Sequence, residues 1–182
     1  MGVPRNQVFG SGTVLDTSRL RYLVSRETGV ATQNIHAYVT GEHGDSEVAL
    51  WSSAEIGNVP IRHWGPTLSG RLFDSDLRKE IAEEVTQSAY KIIEGKGATN
   101  YAIGLSAANI ARAVLRDENR VLTISSLLED WEGISDVCMA APTIVGRMGA
   151  GRVLNPPLTL AERDGLTESA RRLRAVAQEL GF

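Results

Sequence analysis

The residue of this sequence best suited to acid/base chemistry is a histidine in a glycine-flanked corner. His43 is one of only three histidines, and it lies in the stretch YVTGEHGDSEVALW, between Gly41 and Gly44. Glycine adopts backbone conformations that are closed to other residues, so such a corner can point a ring in an unusual direction. Imidazole exchanges a proton readily near neutral pH. The alternative interpretation is a polar surface histidine at the end of a strand.

A catalytic histidine needs a carboxylate that fixes its tautomer and stabilises its charged form. Glu42 and Asp45 are neighbours of the histidine in sequence, and Asp16 at the start of the first predicted helix is a third candidate. Spacing alone leaves all three open. A metal site on His36, Glu42, His43 and Asp45 is a further alternative, but this set lacks the H-E-x-x-H spacing, and we predict no metal.

The segment LDTSRLR offers a cationic group beside one of these acids. Asp16 and Arg19 are three residues apart, which places them on one face of a helix near its N-terminus. The helix dipole favours an acid there and disfavours an arginine. One interpretation is a surface ion pair worth about a few tenths of a kcal/mol. The other is a two-pronged grip by Arg19 on a substrate carboxylate.

The glycine-rich segments do not match nucleotide-binding loops. FGSGTVL lacks the third glycine of G-x-G-x-x-G, and VGRMGAGRV has a different spacing and leads towards a strand. EGKGAT is not a Walker sequence. The absence of a G-x-S-x-G nucleophile elbow weakens a Ser-His-Asp hydrolase interpretation.

Apolar periodicity in the first two thirds of the sequence predicts three helices and one hairpin. LDTSRLRYLVSRETG has helical spacing and ends at a glycine C-cap. NIHAYVTG alternates like a strand, and SEVALWS is its predicted hairpin partner. Asp74 is the predicted N-cap of a long helix with one apolar stripe. An alanine-rich helix over 101–115 is predicted to be largely buried.

The last third predicts a second strand pair and a final helix. NRVLTISSLL and SDVCMAAPTIVG are predicted strands on either side of a turn at Gly133. Thr159 to Glu162 has the form of a capping box, and the amphipathic helix that follows has an inner face ending at Leu180. The order helix, strand pair, two helices, strand pair, helix favours an α+β fold, with a largely antiparallel sheet packed with long helices.

Composition is that of an ordinary globular protein, with 42% hydrophobic and 23% charged residues. The formal charge of −3 gives no reason to expect nucleic acid or an anionic membrane as a partner. The single cysteine, Cys138, fits a reducing compartment. No apolar run approaches the length of a membrane span. We expect a single domain over residues 1–182, located in the cytoplasm.

Three blocks of the sequence resemble one enzyme family. GSGTVLDTSRLRYL, HAYVTGEHGDSEVALWSS and KGATNYAIGLSAANIARAVLRD are similar to the substrate-binding, C-terminal half of NAD-dependent L-lactate and malate dehydrogenases. The resemblance extends from about Val3 to the final helix and implies the C-terminal-domain fold of that family. The form GEHGDS is more similar to the lactate enzymes than to the malate enzymes.

The resemblance assigns roles to five residues. His43 is the expected acid/base, which protonates the carbonyl oxygen of pyruvate as hydride arrives from NADH, and Asp16 is the carboxylate that orients it. Arg19 is expected to bind the substrate carboxylate. Thr99 is expected to line the substrate pocket, and Ile103 to form an apolar wall for the nicotinamide ring.

The resemblance also implies an allosteric site and a homo-oligomer. Bacterial lactate dehydrogenases that are activated by fructose 1,6-bisphosphate have an arginine two residues after the substrate arginine and a histidine seven residues before the catalytic one. Arg21 and His36 occupy these positions. Two copies of this pair across a two-fold axis are expected to bind the two phosphate groups.

The family's cofactor domain has no counterpart in this sequence, since no strand–G-x-G-x-x-G–helix unit is present. We therefore expect the chain to begin at the junction of the two domains, as a truncation, with a partly apolar surface where the cofactor domain would lie. We expect it to be inactive without that domain, its cognate partner. A non-catalytic binding or oligomerisation module of the same fold is the alternative, and a malate dehydrogenase is a narrower one.

Overall fold

The computed structural model describes residues 2–96 and 100–181, and four long helices account for much of this part of the chain. A buried aliphatic stripe on each of the first two, and capping side chains at the starts of the second and fourth, explain where they form. The helices are α1 (Val14–Thr28), α2 (Ser75–Lys96), α3 (Tyr101–Leu115) and α4 (Leu160–Glu179).

The strands form three sheets, and every strand pair in the described residues is antiparallel. The predicted α+β class with antiparallel pairing is therefore confirmed. The largest sheet has the order β6-β7-β8, a second has the order β1-β4-β5, and β2 pairs with β3. The strands are β1 (Ile35–His36), β2 (Val39–Thr40), β3 (Val48–Ala49), β4 (Glu55–Ile56), β5 (Val59–Pro60), β6 (Arg120–Leu128), β7 (Val137–Gly146) and β8 (Gly149–Val153).

The first helix forms where apolar periodicity predicted it. Leu20, Leu23 and Val24 are buried, and the helix ends at Gly29, whose φ of 73° is the left-handed cap conformation that glycine adopts without strain. Just before the helix, the Thr13 hydroxyl donates to the Val39 carbonyl at 2.6 Å. The start of α1 is thereby fixed to the strand that leads into the glycine-flanked corner.

The predicted single strand NIHAYVTG is divided into β1 and β2, which belong to different sheets. Its hairpin partner is confirmed, since Val39 pairs with Ala49 across β2 and β3. The division has a physical cause. Arg21 Nε donates to the Ala37 carbonyl at 3.0 Å, and the Val39 amide donates to the Thr17 hydroxyl at 3.0 Å. Side chains of α1 thus pair with backbone groups that a continuous ladder would use.

The second helix begins at the predicted cap. Asp74 Oδ1 accepts hydrogen bonds from the amides of Asp76 and Leu77, and the buried side chains of Ile81 and Val85 continue the stripe along the face that packs against α1.

The final helix also begins as predicted. Thr159 and Glu162 form a complete capping box, with side chain and backbone bonded in both directions. Leu166 and Ala170 are fully buried against the large sheet. Leu180, predicted on the inner face, is 70% exposed, so this part of the prediction is wrong. The reason is that α4 ends at Glu179, one residue before it.

The alanine-rich helix α3 is much more exposed than predicted. Ser106, Ile110 and Ala113 are its buried residues, whereas Leu105 and Leu115 are 66% and 82% exposed. The helix packs mainly against α1 and β7 along one side. The prediction of a largely buried helix is wrong. Apolar residues are often buried but need not be, and in this chain only one face of α3 packs against other elements.

Candidate active site

The buried carboxylate of Asp16 forms the centre of the site. It lies in the first turn of α1, where the helix dipole favours an acid, and its residue is 1% exposed. Oδ2 lies 2.6 Å from His43 Nδ1, and Oδ1 accepts from Arg19 Nη1 at 2.9 Å. A buried charge requires partners of opposite charge, and here each carboxylate oxygen has one.

Asp16 is therefore the acid that meets the ring, among the three that the sequence left open. Asp45 instead accepts from the Tyr90 hydroxyl at 3.0 Å, and Glu42 accepts from the Ser46 hydroxyl.

The loop that carries His43 is fixed by α4 and β7. The Glu42 amide donates to the Ser169 hydroxyl at 2.6 Å, and the Gly41 amide donates to the Ala140 carbonyl at 2.9 Å. Gly41 has a φ of 92°, and a Cβ placed on it would lie 2.7 Å from Ser169 Oγ. Only glycine fits this backbone beside the helix, so the glycine before the histidine sets the loop against α4.

Hydrogen bonding controls the protonation of His43. The bond to Asp16 raises the pKa of the ring, and the negative charges of Asp16 and Glu47 act in the same direction. Partial burial and the positive charge of Arg19 oppose this effect. The side chain is 51% exposed. Because Nδ1 faces Asp16, Nε2 is the nitrogen left to exchange a proton with a bound molecule.

Arg19 forms the predicted ion pair with Asp16, but the pair is not a surface one. Its side chain is 13% exposed, against 2% for that of Asp16. The contact uses one of the five N–H donors of the guanidinium. The group therefore keeps the donors that a second, bidentate carboxylate would require.

A cavity of about 350 Å³ opens beside the ring. His43 and Glu42 form one wall, Ser125 of β6 contributes another, and Cys138 and Met139 of β7 contribute a third. Sequence reasoning did not find the residues of β6 and β7, because strands more than eighty residues downstream carry no local signal of their neighbours. Arg19 does not line this cavity.

The glycines before α1 serve packing against the large sheet. Gly10 bridges to Ser125 of β6, and a Cβ on Gly12 would lie 2.5 Å from the Thr123 carbonyl oxygen. This close approach of two backbones accounts for the glycines of FGSGTVL, so that no bound phosphate is needed to explain them.

Four other residues were singled out in the sequence, and they lie away from the Asp16–His43 pair or outside the described residues. Thr99 lies outside the described residues. Ile103 is in the first turn of α3 and partly exposed, and its place beside a nicotinamide ring stays a prediction. Arg21 lies with its guanidinium 4.9 Å from the centre of the Tyr38 ring, and His36 is exposed in β1. The bond from Arg21 of α1 to the Ala37 carbonyl places Arg21 beside the residue that follows His36.

One acidic residue of the site, Glu47, was not predicted from the sequence. Glu47 belongs with Asp16 and His43 to a group whose donor atoms all lie within 4.8 Å of one another. In the described part of the chain, the metal alternative of His36, Glu42, His43 and Asp45 does not form such a group. An acid directly before the apolar strand VALW was the available signal for Glu47, but it did not reveal which way the side chain points.

The fold is an antiparallel α+β domain with a histidine paired to a buried aspartate, and comparison with known proteins supplies the family. The family model described as lactate/malate dehydrogenase, alpha/beta C-terminal domain, matches residues 13–180. The chain therefore belongs to the lactate/malate dehydrogenase family, and the family resemblance stated from the sequence is confirmed.

Individual relatives agree with this assignment. The chain is 50% identical over 181 residues to an L-lactate dehydrogenase of Bifidobacterium animalis subsp. lactis, covering 100% of this chain and 57% of that protein. It is 46% identical to an L-lactate dehydrogenase of Thermus aquaticus, covering 100% and 58%. The ligand-bound crystal structure of a minor L-lactate dehydrogenase from Enterococcus mundtii matches with a TM-score of 0.92 at 35% identity, covering 98% and 56%. The chain thus spans little more than half the length of these relatives.

Among the described helices, none combines the length and apolar character needed to cross a membrane.

Proposed function

We propose that this chain is the substrate-binding and acid/base half of an NAD-dependent L-lactate dehydrogenase, which interconverts pyruvate and L-lactate in the cytoplasm. The observation that carries the proposal is the buried carboxylate of Asp16, bonded on one side to His43 and on the other to Arg19. This arrangement offers a proton donor and a carboxylate receptor joined by one rigid acid, as reduction of a 2-oxo acid requires.

In the proposed reaction, the charged ring of His43 donates the proton on Nε2 to the carbonyl oxygen of pyruvate. Asp16 stabilises the imidazolium and holds the ring in place, while Arg19 binds the substrate carboxylate. NADH supplies the hydride when it is bound. In the reverse direction, neutral His43 accepts the proton from the hydroxyl of lactate. Thr99 is the proposed polar lining of the pocket.

The described residues do not form a holder for the dinucleotide, and Ile103 is the one proposed contact to its nicotinamide ring. We therefore propose that a separate cofactor domain is the cognate partner and that this single domain is inactive without it. Hydride transfer needs the two reacting carbons held close together in a water-poor pocket, and the cavity beside His43 is open to solvent.

An absorbance assay tests this proposal. Purified chain is mixed with pyruvate and NADH, with and without an added cofactor domain of a relative, and NADH consumption is followed. We expect a flat trace for the chain alone and turnover on addition of the cofactor domain, both compared with His43→Ala. Turnover by the chain alone contradicts the proposed inactivity. Flat traces in both conditions favour the non-catalytic module. Faster turnover of oxaloacetate than of pyruvate favours the malate enzyme.

The non-catalytic alternative has one observation in its favour. The exposed apolar side chains of Leu105 and Leu115 on α3 form a surface suited to association. A binding or oligomerisation module would need such a surface, but it would not need a buried acid bonded to a histidine and an arginine.

We also propose a regulatory site for fructose 1,6-bisphosphate on Arg21 and His36, shared by two copies in a homo-oligomer. Its support is that Arg21 bonds to the backbone carbonyl of Ala37, the residue that follows His36, so that the two residues are neighbours in the fold. Calorimetric titration of the chain with fructose 1,6-bisphosphate tests it, with an Arg21→Ala, His36→Ala double variant as the control. Equal heats for the two proteins remove the proposal.

A further inference from the structure

A carboxylate that the proposed reaction does not use lies beside the acid/base pair. Glu47 directly precedes β3, and one of its carboxylate oxygens lies within 4.8 Å of both a ring nitrogen of His43 and a carboxylate oxygen of Asp16. From the other side, the Thr86 hydroxyl on α2 donates to Glu47 Oε1 at 2.9 Å. The acid is thus held by one helix and lies close to a pair carried by another helix and a loop.

Glu47 lines a cavity separate from the one beside His43. It lines a cavity of about 240 Å³ between the loop and α2, together with Asp45, Glu83 and Gln87. The walls of this cavity share no residue with those of the cavity beside His43. Glu47 thus lies outside the cavity beside His43, and its contact with the pair is through the group that it forms with His43 and Asp16.

Burial and neighbouring charges together place the ionisation of Glu47 in the neutral range. Burial is the main cause that raises the pKa of its carboxyl to about 7, and the negative charge of Asp16 raises it as well. The hydrogen bond from Thr86 and the positive charges of His43 and Arg19 oppose this rise. The ionisable groups that face it come from α1, the loop and α2, and they are Asp16, Arg19, His43, Asp45 and Glu83.

We propose that Glu47 is a positioning residue that acts through His43, its carboxylate holding the imidazole in the charged, proton-donating form while Thr86 holds the carboxylate in place. The inference rests on the proposed acid/base role of His43. It gives the site a second anion that forms as the pH rises through the neutral range and that, like Asp16, favours the charged imidazole. His43 thereby stays protonated up to a higher pH.

Proton NMR titration of the histidine rings in the full chain tests this inference. Three histidines give a simple spectrum, and His43→Ala identifies the signal of interest. For the natural sequence we expect a His43 curve with two inflections, as coupled groups produce. In Glu47→Gln we expect one inflection, with its midpoint at lower pH. In Thr86→Val, loss of the hydrogen bond raises the pKa of Glu47, so the step that belongs to Glu47 moves to higher pH.

Glu83→Gln is the matched control, since it removes a negative charge from the wall of the same cavity without touching the group formed by Asp16, His43 and Glu47. We expect its His43 curve to coincide with that of the natural sequence. A Glu47→Gln curve that also coincides with it, or an equal shift in Glu83→Gln, overturns the inference. The titration reads the ring and not turnover, so its failure is distinguishable from failure of the proposed reaction.

Discussion

At the scale of single residues, the candidate site is organised by one acid that serves two cations. Asp16 is buried, yet both of its oxygens are bonded, one by the ring of His43 and one by the guanidinium of Arg19. The first contact raises the pKa of His43, and the second holds the carboxylate by its other oxygen. A proton donor held in this way keeps its orientation in both charge states.

Replacement of Asp16 by asparagine tests this arrangement. We expect Asp16→Asn to lower the free energy of unfolding by about 2 kcal/mol, because Arg19 loses a buried charge-assisted hydrogen bond. A pH-dependent part is added to this loss. The pKa of His43 is raised in the folded state, so its contribution is complete below the ordinary imidazole value of about 6.5 and disappears as the pH rises through the folded value. Urea unfolding at several pH values measures both parts.

Arg26→Ala is the control for this prediction, since Arg26 lies on the same helix and pairs with Glu84 on the surface. Its loss is expected to cost less than about 1 kcal/mol at every pH. A cost for Asp16→Asn that does not change between acidic and alkaline pH contradicts the claim that the His43 contact stabilises the fold.

The sequence predicted these residues unevenly. His43 was identified from its glycine-flanked corner, but its partner was chosen among Glu42, Asp45 and Asp16 only by family resemblance. Local spacing does not show that the start of α1 packs against the loop that carries His43. Glu47 escaped notice for the same reason, since its neighbours come from α1 and α2 and not from its own strand.

At the scale of elements, the position of the histidine loop depends on a close approach to α4. Gly41 combines a left-handed φ with a Cβ position blocked by the Ser169 hydroxyl, so a side chain there meets both backbone strain and a clash. The loop cannot withdraw freely, because the Glu42 amide is bonded to the same hydroxyl. The contact with α4 therefore fixes the position of the loop that carries His43.

Gly41→Ala is expected to destabilise the chain by about 3 kcal/mol, the sum of left-handed strain and the clash with α4. Gly70→Ala is the matched control, because Gly70 has a similar φ of 83° and open space around its Cβ position. It is expected to cost only about 1 kcal/mol. Chemical denaturation compares the two variants. Equal losses would show that backbone strain alone matters and that contact with α4 does not position the loop.

The elements themselves were well predicted where the signal is local. The Asp74 cap, the Thr159–Glu162 capping box and the two predicted strands that form β6 and β7 all depend on neighbouring residues. The division of the first predicted strand was not predictable, because it results from hydrogen bonds donated or accepted by side chains of α1. Alternation predicts which face is buried, but not where a ladder is interrupted.

At the scale of the whole molecule, α3 is the element whose composition and exposure disagree. It is apolar around most of its circumference, but it packs along one side only, so its other side presents Leu105 and Leu115 to solvent. This exposure fits a chain that spans little more than half the length of its relatives. Sequence alone predicted that the helix would be covered, and it could not say by which part of which chain.

This surface predicts concentration-dependent self-association of the isolated chain. Burial of exposed apolar area stabilises association by about 25 cal/mol per Å², so two large leucines on one helix favour contact between copies. We expect Leu105→Lys with Leu115→Lys to shift sedimentation-velocity profiles towards the monomer. We expect the free energy of unfolding to change by less than about 1 kcal/mol, because both positions are exposed.

Leu68→Lys with Leu72→Lys is the matched control, since these leucines are equally exposed but lie outside α3. This double variant should leave self-association unchanged if the exposed side of α3 forms the contact between copies. A monomeric profile for the natural sequence at all concentrations would contradict the prediction.

If an added cofactor domain suppresses association as strongly as the lysine pair does, then copies and cofactor domain compete for one face. The self-association of copies and the inactivity proposed for the chain alone would then have the same physical origin, the uncovered side of α3.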